Sequence, residues 1–116
     1  MDPAKTMAAA AHRLRELAEA AGSGPWKAIP DVMIGGWAVA HESADAGGPY
    51  LADFTRAEHA YWIAMMHPGV GLALADWLDA TAGEMTAANG TEYAYSEFAS
   101  WTAALALARQ ILGEVA

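Results

Sequence analysis

The stretch GSGPW, residues 22–26, separates two sequence patterns and decides the fold class. Before it, Asp2-Pro3 is a favourable helix start, because Asp caps backbone N–H groups and Pro is tolerated at the first helical position. Residues 3–21 follow with apolar side chains at helical spacing, and the Gly and Pro of the stretch then end the helix. After it, residues 26–54 contain short apolar runs interrupted by Gly and Pro, which is typical of strands.

Two strands are expected inside this strand-rich segment. One lies near residues 33–42 and the other near 49–54, and residues 43–48 between them have the composition of a hairpin loop. Gly35-Gly36 falls inside the first strand, where it indicates either a β-bulge or a place where another group approaches the backbone closely. The bulge is the simpler of the two interpretations.

Three helices are predicted after the strands, over residues 56–66, 68–87 and 92–113. Thr55-Arg56-Ala57-Glu58 matches a capping box, in which the Thr hydroxyl and the Glu carboxylate satisfy backbone donors. The residue before a proline is disfavoured in a helix, so His67-Pro68 ends one helix and begins the next. The prediction is therefore one α+β domain over residues 1–116, with a small antiparallel sheet packed against about four helices.

The predicted helix over residues 56–66 has one face that is apolar apart from a histidine. His59, Trp62, Ile63 and Met66 share that face at helical spacing.

The last predicted helix has an apolar surface that is broader than one intramolecular contact requires. Leu107 and Ile111 lie to the side of its main stripe. The stripe itself consists of Phe98, Trp101, Leu105 and Leu112. An interior helix or a subunit interface explains this breadth, and we favour a homo-oligomer contact through this helix.

Composition and charge exclude several classes of function. The 116 residues include fourteen acidic and six basic ones, which gives a formal charge of −8. Such a surface repels phosphate backbones and anionic lipids, so no nucleic acid or membrane partner is expected. Thirty alanines contribute little buried area, so the five tryptophans are expected to supply much of the core. No apolar run approaches the roughly 20 residues of a membrane span, and no signal-peptide pattern is present, which predicts a cytoplasmic protein.

No arrangement of reactive side chains in the sequence indicates an enzyme or a metalloprotein. Cysteine is absent, which removes thiol nucleophiles and thiolate metal ligands. The four histidines, His12, His41, His59 and His67, lack a recognised ligand spacing, and no serine lies in a Gly-x-Ser-x-Gly context. Asp76-x-x-Asp79 is explained more simply by a solvated acidic face than by an acid–base pair. We therefore predict no catalytic residue, no metal and no cofactor.

Aromatic residues and a glycine-rich helix start offer a candidate binding site instead. Residues 67–71 begin a helix with free N–H groups that favour an anion, although a purely structural helix entry is the alternative. Aromatic faces stack on nucleobases and an arginine can hold a phosphate, whereas core packing is the other role open to the aromatic residues. The predicted ligand-binding residues are Trp26, Trp37, Arg56, His67, Gly69 and Gly71.

Two segments resemble a family of phage proteins. Residues 17–26 have the pattern Leu-x-x-x-Ala-x-x-x-Pro-Trp, and residues 59–74 have an x-Ala-x-x-Ile-Ala helix followed by a His-Pro helix start. Together they resemble the Ead-like accessory proteins of temperate phages and prophages, especially actinobacterial forms, over residues 14–85. His59 stands where the family's pattern has an acidic residue, and residues 91–116 stand where it has a long charged tail.

The resemblance implies a non-enzymatic accessory role, and small phage proteins of this kind include inhibitors of host defence. Some look like sponges, which are symmetric oligomers that sequester the signalling nucleotide of a defence system such as Thoeris. We therefore expect a protein that sequesters a host factor in the bacterial cytoplasm, with a nucleotide-like small molecule as the most concrete ligand. Two alternatives stay open: an acidic inhibitor that docks on a basic host protein, and a small phage protein with a structural or other role.

Overall fold

The computed structural model describes residues 2–31, 35–45, 48–54, 56–88 and 99–113, which contain four helices and a three-stranded antiparallel sheet. The α+β class is therefore confirmed. The strand order is β1-β2-β3, so β1 and β3 are the edges of the sheet. In chain order the elements are α1 (Pro3–Ala21), β1 (Trp26–Pro30), β2 (Trp37–His41), β3 (Ala52–Phe54), α2 (Ala57–Met65), α3 (Pro68–Ala87) and α4 (Ala99–Ile111).

The chain divides into two compact units. Unit 1 consists of Met1–Leu17 and Leu72–Ala116, and unit 2 consists of Ala18–Gly71. Unit 1 contains α4 and most of α1 and α3, whereas unit 2 contains the sheet and α2.

The start of α1 confirms the predicted cap. The backbone N–H of Lys5 donates to Oδ1 of Asp2 at 3.0 Å, and the Thr6 hydroxyl donates to the Asp2 carbonyl at 3.1 Å. Asp2 thus satisfies a backbone donor that the first helical turn leaves without a partner. Pro3 occupies the first helical position, where its missing N–H costs nothing.

The interior of unit 1 is made of alanine, methionine and leucine side chains from α1, α3 and α4. Its largest fully buried side chains are Met7, Leu78, Met85 and Leu105. Of the five tryptophans, which were expected to supply much of the core, Trp101 is buried in unit 1, Trp26 and Trp37 are partly buried in unit 2, and Trp62 and Trp77 are exposed. The alanine faces bring the helices close together, and flexible methionine and leucine side chains fill the gaps that remain.

The apolar surface of α4 is used within unit 1. Trp101 and Leu105 are buried there, and Leu107, Ile111 and Leu112 are partly buried against the same core. The indole N–H of Trp101 also donates to Oε2 of Glu84 at 3.2 Å. The observed helix begins at Ala99, so the predicted residues 92–98, including Phe98, lie outside the described residues. The proposed subunit contact through this helix stays a prediction.

The sheet of unit 2 packs one face against α2. Trp26 lies opposite His41 and Pro30 lies opposite Trp37 in the β1–β2 pair, while Trp37 lies opposite Phe54 in the β2–β3 pair. Val39 is buried with two alanines of α2, and bulky side chains surround this centre. The partly buried residues around it are Trp26, Ala28, Trp37 and Phe54.

The predicted strand near residues 33–42 is too long, because β2 begins only at Trp37. Gly35 and Gly36 have φ values of +77° and +86°, which extended strand backbone does not adopt. They close the β1–β2 turn, where the Gly35 N–H donates to the Asp31 carbonyl at 3.0 Å and the Asp31 N–H donates to the Gly36 carbonyl at 3.1 Å. The predicted β-bulge is therefore a hairpin turn. Residues 32–34 lie outside the described residues.

The starts of α2 and α3 differ in their capping. α2 begins at Ala57 with Arg56 as an extended N-cap that makes no side-chain cap bond, so the predicted start at residue 56 is one residue early. Thr55 lies outside the described residues, and Glu58 pairs with Arg56 through Oε2 and Nη2 at 2.6 Å. α3 spans Pro68–Ala87 as predicted, with Pro68 in the first turn.

Candidate functional site

The apolar face of α2 that the sequence identifies lies at the surface. Ala60 and Ala64 pack against the sheet, whereas Trp62 is 61%, Tyr61 57% and Met65 54% exposed. Helical spacing fits two faces of α2 equally well, so it does not show which of them is buried. Among the described residues of α2, those buried against the sheet are alanines, whose methyl groups fit beside its bulky side chains.

α2 therefore holds a group of large apolar side chains at the surface, which we call the α2 surface. Fully burying one such side chain stabilises a protein by roughly 1.5–3 kcal/mol, and exposed apolar patches mark interaction sites. The α2 surface consists of Tyr61, Trp62, Ile63, Met65 and Met66.

A cleft of about 390 Å³ lies between β1 and α2, and we call it the β1–α2 cleft. Its β1 side is formed by four consecutive residues, and its α2 side includes two members of the α2 surface. The full lining is Pro25, Trp26, Lys27, Ala28, Tyr61, Ala64, Met65 and His67. Tyr61 and Met65 are not among the predicted ligand-binding residues, although their i, i+4 spacing beside Ala60 and Ala64 was a signal for this wall.

The imidazole of His67 is held at the start of α3 by two glycines. The Gly69 N–H donates to Nδ1 of His67 at 3.1 Å, and the Val70 N–H donates to the His67 carbonyl at 3.0 Å. A Cβ atom on Gly24 would lie 2.5 Å from Nδ1, and one on Gly69 would lie 2.7 Å from Cε1. His67 therefore uses a backbone donor that was predicted to be free for a bound anion.

The predicted ligand-binding residues do not converge on one point. Trp26 and His67 line the β1–α2 cleft, whereas the Trp37 ring contacts Tyr61 at a centroid distance of 5.6 Å. Arg56 pairs with Glu58. Gly69 contacts the His67 ring, and a Cβ atom on Gly71 would lie 3.8 Å from that of Ala18. Two of the six residues thus line the cleft.

The cations of unit 2 are already engaged. The Lys27 ammonium donates to the Ala44 carbonyl at 2.7 Å, and the Arg56 guanidinium is held by Glu58. The Trp26 indole N–H donates to the Ser23 carbonyl at 3.2 Å. A phosphate in the cleft would have to displace these contacts before a cation could reach it.

Asp31 and Asp53 form a pair of carboxyl groups in unit 2. Asp31 is buried, and Asp53 lies opposite Ala38, on the face of β3 that points away from α2. A hydrogen bond with Asp31, together with desolvation and the charge of Asp31, raises the pKa of Asp53 above its ordinary value. The described residues contain no group of three His, Cys, Asp or Glu side chains that could hold a metal ion.

Asp76 and Asp79 in unit 1 share the guanidinium of Arg15. Nη2 of Arg15 lies 2.9 Å from Oδ1 of Asp76, and Nη1 donates to Asp79. These hydrogen bonds raise the pKa of Arg15 above its ordinary value. The two aspartates therefore join α3 to α1 as an ion-paired cluster rather than form a free acidic face.

His41 and Ser43 are close enough to suggest a nucleophile and its base. Ser43 Oγ lies 2.8 Å from Nδ1 of His41, and the Ser43 backbone N–H donates to the same nitrogen at 3.2 Å. Among the described residues, no carboxylate orients the other ring nitrogen, as a catalytic triad requires. The contact lies within the turn that follows β2.

Comparisons with protein-family models, curated proteins and solved structures found no match to this chain. The resemblance to Ead-like proteins stays a prediction. Within the part of the chain that the structure describes, no helix is long and apolar enough to cross a membrane.

Proposed function

We propose that this chain is a non-enzymatic binding protein that sequesters a host factor, and that the factor is a protein. The α2 surface is the observation that supports this proposal. Aromatic residues and methionine are enriched in protein interfaces, and α2 presents tyrosine, tryptophan, isoleucine and methionine while it packs through alanine.

A protein partner fits the site better than a nucleotide does. Nucleotide binding needs free donors and cations for phosphate, but Lys27, Arg56 and the Gly69 N–H are engaged within unit 2. Trp26 and His67 still line the cleft, so the nucleotide hypothesis stays a prediction. A rise in melting temperature with a cyclic or ADP-ribose-type nucleotide in large excess would support it.

The charge of the chain favours a basic partner. A formal charge of −8 on 116 residues attracts a basic protein at long range and speeds its association. The α2 surface then supplies short-range contact area. This function agrees with the accessory, anti-defence role that the resemblance implies.

The proposal is tested by capture of proteins from an actinobacterial lysate on immobilised chain. We expect a basic protein to be retained by the wild type and lost with Trp62→Ala, because Trp62 is the most exposed side chain of the α2 surface. Trp77→Ala is the matched control, since Trp77 is also exposed (40%) but lies in α3 within unit 1. Equal retention by the two variants, or no retention by the wild type, would contradict the proposal.

A further inference from the structure

The outer edge of β1 has unpaired backbone groups. The Glu42 N–H donates to the Pro25 carbonyl and the Asp31 N–H donates to the Gly36 carbonyl, so residues 25, 27, 29 and 31 direct their backbone groups toward β2. Trp26 and Ala28 alternate with them and direct their N–H and C=O groups away from β2. In the described part of the chain, these groups of Trp26 and Ala28 have no hydrogen-bond partner.

The β1–α2 cleft runs along this same edge. Successive side chains of a strand point to opposite faces, so a cleft on one face would be lined by alternate residues. Pro25, Trp26, Lys27 and Ala28 are consecutive and all line the cleft. Since β2 occupies the inner edge of β1, the cleft lies at the outer edge, with Tyr61, Ala64 and Met65 as its opposite wall.

We propose that the partner binds by strand addition: an extended segment pairs with the outer edge of β1 and packs its side chains against α2 in the cleft. This inference rests on the proposed function and names the binding mode. Trp26 and Ala28 each offer an N–H donor and a C=O acceptor, and every second side chain of the added strand faces Tyr61 and Met65. Spanning residues 25–28 takes about 13 Å of strand at roughly 3.3 Å per residue.

Pro30 limits the length of the pairing. It occupies an outward position of β1, where a proline is tolerated because the edge N–H is not needed for the β1–β2 ladder. Only its carbonyl is available to an added strand. We therefore expect a short segment centred on Trp26–Ala28.

Charge identifies the occupant as a basic segment of another protein. Six acidic and two basic residues give unit 2 a formal charge of −4, and both basic side chains are engaged within it. A second copy of the chain would bring the same negative charge to the edge. A segment with lysine or arginine beside alternating apolar residues complements both the charge and the cleft.

The first experiment selects short linear peptides from a displayed random library on the full chain. We expect enriched peptides with alternating apolar residues and flanking lysine or arginine, whose affinity falls as salt is raised. Failure to enrich any peptide above background, or enrichment of acidic peptides, would overturn the inference.

Residue-resolved amide exchange with the best selected peptide reports strand pairing directly. The amides of Trp26 and Ala28 should exchange fast in the free chain and slow by about tenfold or more when the peptide binds. The amides of Lys27 and Ile29, which face β2, should be slow in both states. Unchanged exchange at Trp26 and Ala28 in the complex would overturn strand addition. If exchange at Trp26 and Ala28 slows as the protein concentration is raised in the absence of peptide, the edge pairs with a second copy of the chain instead.

A pair of variants at one position isolates the backbone bond. Ala28→Pro removes the outward N–H without touching the β1–β2 ladder, and we expect peptide affinity to fall by about tenfold. Ala28→Ser is the matched comparison at the same position: it keeps the N–H, so it should lose less affinity than Ala28→Pro does. Circular dichroism checks that both variants fold. If Ala28→Pro does not fold, the amide-exchange measurement on the wild type still tests strand addition.

The outcomes separate this inference from the proposed function. If Ala28→Pro and the wild type bind the peptide equally while Trp62→Ala still loses the lysate partner, strand addition is wrong and the α2 surface remains the binding site. If Trp62→Ala and Trp77→Ala retain the lysate partner equally, the proposed function is wrong, whatever the peptide does.

Discussion

Helices α4 and α2 both have apolar stripes with a tryptophan, but the two stripes face opposite environments. α4 turns Trp101 inward, with 8% of it exposed, and Leu105 is buried beside it in unit 1. α2 turns Ala60 and Ala64 inward in unit 2 and leaves Trp62 exposed. The same type of sequence pattern thus forms a core in one unit and an outward surface in the other.

The surface opposite each helix decides this difference. α4 meets faces of α1 and α3 whose buried residues are mostly alanine, which leaves volume for an indole ring. α2 meets Trp26, Trp37 and Phe54, which fill the space and leave room for methyl groups. An apolar stripe therefore predicts burial only where the facing surface has the complementary volume.

The largest expected effect is the difference in stability between truncation of Trp101 and truncation of Trp62. Trp101→Ala should lower the free energy of unfolding by about 3–5 kcal/mol, because a buried ring is replaced by a cavity. Trp62→Ala should change it by less than about 0.5 kcal/mol, since an exposed side chain is removed. Urea unfolding followed by circular dichroism measures both. Equal losses in the two variants would show that the α2 stripe is part of a core.

The second test replaces one glycine in each unit by alanine. A Cβ atom on Gly24 would strike the His67 ring, whereas one on Gly83 in α3 would meet nothing within 4 Å. Gly24→Ala should therefore lower the free energy of unfolding by about 1–3 kcal/mol. Gly83→Ala should raise it by about 0.5–1 kcal/mol, because alanine is the better helix former.

Thermal unfolding of the two glycine variants, and of Gly24→Ala combined with His67→Ala, checks this reasoning. In the double variant the clash is removed, so part of the lost stability should return. A Gly24→Ala variant as stable as the wild type would show that the ring is not held between Gly24 and Gly69.

A smaller effect is expected at the start of α3. His67→Ala removes the acceptor of the Gly69 N–H and should cost about 1 kcal/mol, as the loss of other N-caps does. His67→Asn keeps a side-chain acceptor and should recover most of that loss. Urea midpoints of the two variants give the comparison, and an Asn variant no better than Ala would assign the effect to packing instead of capping.

The helices could be predicted because their signals are local. Asp2-Pro3 at one end and Gly22 at the other determine α1, and Pro68 determines the start of α3, through backbone rules that need no tertiary information. The strand-rich segment was also recognisable from its Gly and Pro spacing. The pairing of β1 with β2 was missed, because Gly35-Gly36 suits a bulge and a tight turn equally well.

The candidate site was only partly predictable. Trp26 and His67 were identified and both line the cleft, but Tyr61 and Met65 were not. Their exposure depends on the bulk of residues far along the chain in β1, β2 and β3, and a period of 3.6 residues says nothing about that bulk. The engagement of Arg56 by Glu58 likewise depends on where α2 begins.

The smallest expected effect is a change in the pH dependence of stability when Asp53, but not Asp76, is substituted. Asp76 faces Arg15 in unit 1, whereas a hydrogen bond with Asp31 raises the pKa of Asp53 in unit 2. A carboxyl group whose pKa is higher in the folded than in the unfolded chain gives stability that is complete below the unfolded pKa. That stability is lost as the pH rises through the folded pKa.

Asp53→Asn should therefore flatten the decline of stability that begins above about pH 4, the region of an ordinary aspartate pKa. Asp76→Asn is the control, because it leaves the Asp31–Asp53 pair intact and should keep the decline. Urea midpoints measured at intervals from about pH 4 to neutrality report the slopes. If the Asp53→Asn and wild-type slopes coincide, the hydrogen bond with Asp31 does not raise the pKa of Asp53 in the folded chain.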